Sequence, residues 1–150
     1  MKLTHIKDTG EANMVDISNK DIVHREAKAY ARVRLSEDTI KLIRENNLKK
    51  GDVLPVSRIA GISGGKKTSE LIPLTHNIPI NKIDIDFKIN NDNIEIFSFA
   101  SCDFKTGIEM EALTSVSIAA LTIYDMVKAA DKSILIEEIR LVSKKKQPLK

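Results

Sequence analysis

Apolar and polar residues alternate along AKAYARVRL, with Ala27, Ala29, Ala31, Val33 and Leu35 on one side and Lys28, Tyr30, Arg32 and Arg34 on the other. A period of two predicts a half-buried strand over 27–35. Ser36 follows as a helix N-cap, with Glu37 and Asp38 in the first turn of a helix over 37–46, and KKGD breaks the pattern at Gly51. Val53, Val56, Ile59, Ala60 and Ile62 then recur at three-to-four spacing, which predicts a second helix. Gly61, Gly64 and Gly65 each weaken that helix by about 1 kcal/mol relative to alanine. They point to close approach of another backbone or of a ligand, with loose packing as the alternative. After the loop IPLTHNIP, alternation returns in KIDIDFKI, with Ile83, Ile85, Phe87 and Ile89 inward. NNDN is a turn, IEIFSFASC is the hairpin partner, a long helix runs from about Glu109 to Ala130, and SILIEEIRLV is the last strand.

This order predicts an α+β fold of the ferredoxin-like sandwich type, βαββαβ with one extra helix, whose antiparallel sheet carries helices on one face. One strand is unusual. Ile94, Ile96, Ala100 and Cys102 share a face, yet Phe97 and Phe99 occupy the opposite one. A sheet covered on one side should be polar on the other, so the two phenylalanines predict that the open face meets another subunit.

The length of 150 residues fits one domain, 1–150, with flexible ends expected over 1–20 and 143–150. No run of 18 apolar residues is present, and the first residues lack the apolar core of a secretory signal. With one cysteine, Cys102, the chain reads as cytoplasmic and stabilised by core packing. Lys144, Lys145, Lys146 and Lys150 supply four of the charges behind the net +3, so the body without them stands at −1. With 4% aromatic residues and no tryptophan, nucleic acid is not the expected partner, and the lysine-rich end reads as a solvated, frayed terminus.

Four places carry candidate chemistry. In SIAALTIYDMVKAAD, Asp125 shares a helical stripe with Ile118 and Leu121, with Lys128 three residues on. The pair is either a solvent-side ion pair or a partly buried pair with shifted proton affinities. Basic residues gather at loops and helix breaks: Arg25 beside His24, Lys49 and Lys50 before Gly51, and Lys66 and Lys67 after two glycines. Such placement suits a polyphosphate, although GISGGKKTS lacks the spacing of a Walker loop. His76 sits in a loop stiffened by Pro73 and Pro79, while His5 and His24 stand in no metal-ligand spacing, so no metal site is expected. Glu109 and Glu111 open the last helix, where carboxylates complement its dipole. No nucleophile elbow and no dinucleotide-binding glycine fingerprint occur.

The runs LTHI, GEANMVDIS, REAKA, KKGDVL, RIAGISGGKKTSELIPLTH, TGIEMEALTSVSIAALTIYDMVKA and IRLVSK together resemble the cyclic pyranopterin monophosphate synthases of molybdenum-cofactor biosynthesis. The resemblance covers nearly the whole chain in order and spacing. It implies a ferredoxin-like hexamer, a trimer of dimers with sites at dimer interfaces, and no cofactor. It also implies conversion of 3′,8-cyclo-7,8-dihydroguanosine 5′-triphosphate to a pyranopterin bearing a cyclic phosphate, with diphosphate released. By the same resemblance Asp125, Lys128 and Lys50 are catalytic, and Leu74, Thr75, His76, Met110, Glu111, Lys20, Arg25 and Lys66 bind substrate.

Two departures stand out. The family usually reads LCHP where this chain has LTHN, so retuned contacts are expected around His76. It also continues into GGKSG where this chain has KKKQPLK, which leaves Lys145 or Lys146 to replace that segment. The alternative from another class is a non-catalytic ferredoxin-like nucleotide-binding module. Retention of Lys50, Asp125 and Lys128 speaks against it, since a pure binder needs no proton-transfer pair.

Overall fold

The computed structural model describes residues 6–150; His5 and most of the LTHI run lie outside the described residues. The elements are β1 (Val23–Arg34), α1 (Glu37–Arg44), α2 (Val53–Lys66), α3 (Thr68–Leu71), β2 (Ile80–Ile89), β3 (Asn93–Phe104), α4 (Glu109–Val127) and β4 (Leu135–Gln147). The strands pair antiparallel in one sheet of order β2-β3-β1-β4, the α+β arrangement expected of a ferredoxin-like fold. The single turn of α3 is the element that the polarity pattern did not announce.

Small side chains on the central strand decide how closely α4 can lie. Ala27, Ala29 and Ala31 of β1 are at most 1% exposed, and Ala112, Val116, Ala119, Ala120 and Ile123 of α4 fill the space above the sheet. Ile85 of β2 and Ile94, Ile96, Ala100 and Cys102 of β3 complete this core. By length and composition α4 could cross a membrane, but 56% of its apolar window is buried in the protein. It is the core helix.

The glycines of α2 serve that helix. A Cβ at Gly61 would stand 2.8 Å from the Ser115 carbonyl oxygen, and one at Gly64 would stand 2.9 Å from Ile118 Cβ. The two alternatives left open by the sequence thus resolve to backbone approach between α2 and α4. Gly51, at φ +95, makes the turn that starts α2 and sets Lys50 beside the far end of α4.

Ser36 caps α1 as its position suggested, its hydroxyl accepting from the Thr39 amide at 3.2 Å. The cap has an anchor that no local pattern revealed. Asp131, just after α4 and 4% exposed, accepts from the Ser36 amide at 2.8 Å and from the Ser133 amide at 2.8 Å. Burial pushes its carboxyl up, but these amides and the Ser133 hydroxyl outweigh burial and hold it at about 2. A carboxyl depressed below its ordinary 3.8 stabilises the fold above that pH, and the contribution disappears as pH falls through about 2. Asp131→Asn should therefore cost about 2 kcal/mol more at pH 7 than near pH 2, measured by denaturant titration at both values. An equal loss at both would refute the linkage.

Both strands that border the candidate site are longer than their polarity pattern. β1 begins at Val23, which takes in His24 and Arg25, and β4 runs five residues past Val142. Lys144, Lys145 and Lys146 pair with Ala27, Glu26 and Arg25, so they are strand residues and not a frayed terminus. Lysine on both faces hides the period of two, and the ladder to β1 supplies the order. On the open face, Tyr30 meets Phe97 edge-on with ring centroids 5.4 Å apart, and the Arg140 guanidinium lies 4.7 Å from the Tyr30 centroid. Phe97 remains 41% exposed.

Candidate active site

The N-terminal end of α4 forms one wall of a cavity of about 250 Å³. Leu74, Thr75, His76, Met110, Glu111 and Lys20 all line it. Six of the eight residues expected to bind substrate therefore converge here, although they come from three separate parts of the chain. Val15, Ile17 and Glu109 join them. The signal for Val15 and Ile17 was present in the run MVDIS, but nothing local said that it folds onto this cavity.

His76 lies 2.8 Å from the Val15 carbonyl through Nε2. A carbonyl only accepts, so the Nε2 proton is committed and Nδ1 is the nitrogen left for other partners. The loop around it is tied twice. Thr75 donates to the Ile72 carbonyl at 2.8 Å, and Ser69 of α3 donates to the Asn77 side chain at 2.5 Å. These are the contacts made by the two residues at which LTHN departs from LCHP.

Glu111 is 3% exposed, the most enclosed carboxylate of the cavity. Burial pushes its carboxyl up to about 7, and the neighbouring charge of Glu109 adds to the rise. Its position therefore does more than complement the helix dipole, because a carboxyl that titrates near neutrality can take and return a proton. Cys102, behind it in β3, is pushed by burial up to about 11 and stays a thiol.

Beyond Glu109 stand cationic side chains. Arg25, Lys144, Lys145 and Lys146 line a second cavity that shares Gly107 and Glu109 with the first, and Arg25, Lys20 and Lys146 line a third. Arg25 is held in place by donation to the carbonyls of Phe104 and Lys105 at 3.1 and 3.3 Å. Lys144 pairs with Glu109 at 3.2 Å. Lys66 follows Gly65, which abuts the Glu111 backbone, but it is exposed and lines none of these cavities. Among the described residues no His, Cys, Asp and Glu cluster suited to a metal ion occurs.

The other three expected residues meet at the opposite end of α4. Lys50 Nζ lies 2.8 Å from one Asp125 carboxylate oxygen and 3.1 Å from the Asp125 carbonyl, while Lys128 Nζ lies 3.0 Å from the other carboxylate oxygen. The hydrogen bond from Lys50, and then that from Lys128, holds the Asp125 carboxyl below its ordinary range. The side chains are 49%, 55% and 56% exposed for Lys50, Asp125 and Lys128, so within one chain this is an open cluster, the solvent-side member of the two alternatives that the helical stripe left. The stripe is mixed because Leu121 and Tyr124 beside it are themselves exposed.

Fourteen residues of helix separate Glu111 from Asp125, about 21 Å at 1.5 Å per residue. The two clusters therefore lie at opposite ends of α4 within one chain.

The model of the MoaC family matches residues 14–147. The chain belongs to that family. It is similar to the cyclic pyranopterin monophosphate synthase of Peptoclostridium acidaminophilum, 51% identical over 144 residues that cover 96% of this chain and 92% of the relative. It is also similar to the enzyme of that name from Clostridium acetobutylicum, at 50% identity with 94% and 89% covered. The mitochondrial cyclic pyranopterin monophosphate synthase of Arabidopsis thaliana is 50% identical over 145 residues, 95% of this chain and 54% of the plant protein. The matched span takes in every residue of both clusters in this MoaC chain.

Proposed function

We propose that this chain is a cyclic pyranopterin monophosphate synthase, a lyase of molybdenum-cofactor biosynthesis acting in the cytoplasm. Its substrate is 3′,8-cyclo-7,8-dihydroguanosine 5′-triphosphate, and its products are cyclic pyranopterin monophosphate and diphosphate. The observation that carries this reading is that the cavity of His76 and Glu111 adjoins two basic ones, sharing Gly107 and Glu109 with the cavity of Arg25 and Lys144–Lys146 and sharing Lys20 with a third. A guanine-derived ring suits the first, and a triphosphate suits the others.

The chemistry requires a ribose hydroxyl to attack the α-phosphorus. A new P–O bond forms, the bond to the bridging oxygen breaks, and diphosphate leaves with its electron pair. Cationic side chains around the phosphates stabilise the charge that develops there. Ionised Glu111 serves as the base for protons released during ring opening, rebuilding and cyclisation. The ammonium groups of Lys50 and Lys128, held by Asp125, act as donors. A non-catalytic binding module would have no use for that second cluster.

Since the clusters lie at opposite ends of α4, we assign each complete site to two copies of the chain, in a homohexamer arranged as a trimer of dimers. Exposed Phe97 on the open sheet face and exposed Leu121 and Tyr124 beside Asp125 are apolar surfaces suited to such contacts. Subunit exchange tests the assignment. Asp125→Asn chains and Glu111→Gln chains, each nearly inactive alone, should recover about a quarter of the parent diphosphate release when mixed equally, the statistical share of sites that draw intact halves from two copies. No recovery after verified exchange would refute shared sites. Failure of the unaltered protein to release diphosphate from the triphosphate would refute the activity.

A further inference from the structure

Glu109 is the wall between two cavities of different character. On one side lies the pocket of Glu111, and on the other lie Arg25, Lys144, Lys145 and Lys146. The Glu109 carboxylate engages Lys144 at 3.2 Å, and Lys144 is 69% exposed, so little holds the ammonium there against a competing anion. An anion with several charges that enters the basic cavity draws Lys144 toward itself. Glu109, which lines the same cavity as Glu111 and whose charge raises the proton affinity of that carboxyl, then lacks its counter-ion.

We propose that Glu109 is a positioning residue that links anion binding in the basic cavity to protonation of Glu111 in the adjoining one. The inference rests on the phosphate-binding reading given above and deepens it. Two like charges close together in a poorly hydrated place cannot both remain ionised at no cost, and the more enclosed one takes up the proton. Glu111 is that one, 3% exposed, against 27% for the Glu109 side chain. Cys102 faces Glu111 from β3 as a neutral thiol, and His76 and Lys20 face it across the cavity. Lys66 follows Gly65 in α2, which abuts the Glu111 backbone, and Arg25 and Glu26 of β1 and Lys145 and Lys146 of β4 line the cavity beyond Glu109. Of the cations near Glu109, Lys144 is the one in ion-pair contact with it.

The consequence is directional. Phosphate binding raises the proton affinity of Glu111 and so strengthens it as the base for protons released in the reaction, and diphosphate departure restores the Lys144–Glu109 pair and lets the captured proton leave.

Calorimetric titration of the full-length protein with inorganic diphosphate, in two buffers of unlike ionisation enthalpy, reads the protons taken up per anion bound. At pH 7 the expected uptake is roughly a third of a proton, as for a group near 7 moved up by about half to one unit. Glu109→Gln should still bind diphosphate but show no uptake. Lys144→Gln should also lose the uptake, because its Glu109 lacks a counter-ion before binding. Uptake that persists in Glu109→Gln would overturn the relay in favour of direct action by the anion. Uptake that persists in Glu111→Gln would place the proton elsewhere, including His24 or His76, and overturn it too. Absence of diphosphate binding to the unaltered protein would overturn the inference while leaving the activity, scored separately by turnover of the nucleotide, intact.

Discussion

Asp125→Asn should slow diphosphate release by roughly 10²–10⁴-fold while the protein keeps its fold and subunit composition. The carboxylate accepts from Lys50 on one oxygen and from Lys128 on the other, so it fixes two ammonium groups that start 78 residues apart in sequence. Asparagine can accept on one side only and carries no charge. The two lysines then repel each other without a mediator and lose their common orientation. Stability should change little, because all three side chains are about half exposed and such pairs contribute little in water.

Lys50→Ala and Lys128→Ala should reduce turnover comparably, and combining either with Asp125→Asn should add far less than the product of the single effects. Substrate affinity should survive Asp125→Asn, since loss of a negative charge does not weaken attraction for a triphosphate. A solvent-side ion pair without a catalytic role predicts near-normal turnover in all three variants, and that result would defeat the reading. The pH profile adds a second check. Asp125 is held below the ordinary carboxylate range, so it should contribute no inflection near neutrality.

Glu111→Gln should remove the inflection that is present. In the parent protein kcat/KM should rise with pH through about 7 as Glu111 ionises and becomes a base. The glutamine variant should lose roughly 10²–10³-fold at pH 8 and show a flat profile over that range. Stability supplies a readout of opposite sign. A carboxyl raised from its ordinary 4.5 to about 7 binds its proton more tightly in the folded protein, so stability falls as pH rises between those values. Glu111→Gln should therefore be more stable than the parent at pH 8, by about 3 kcal/mol, and nearly equal to it at pH 4. A variant that is destabilised at both values, or that retains the inflection, would remove Glu111 from the role of base. Asp131, whose carboxyl is depressed, behaves in the reverse sense, and the two residues together should give the folded protein a stability maximum on the acid side of neutrality.

The β strands and the cap of α1 were legible because their signals are local. Alternation in AKAYARVRL and KIDIDFKI needs no knowledge of partners, and Ser36 reaches a backbone amide three residues away. The neighbourhood of Asp125 and Lys128 was equally local, since residues three apart share a helix face. Resemblance then pointed to Lys50, His76 and Glu111 as candidates.

Tertiary packing decided the rest. Glu109 and Glu111, two apart on one helix, point in different directions, and their order in the sequence does not say which is enclosed. The rotation of α4 on the alanine surface of β1 buries Glu111 and leaves Glu109 to Lys144. That choice depends on side-chain volumes from several strands at once, and it fixes which carboxyl titrates near neutrality. In the same way Lys144–Lys146 carry no strand period, and their place beside Arg25 comes from hydrogen bonds to β1 that only the assembled sheet supplies. The sequence by itself determined the long helices and the alternating stretches of the strands, and which chemical groups are present. The fold decided which of those groups leave water, because desolvation is a property of the whole packed surface and not of neighbours along the chain.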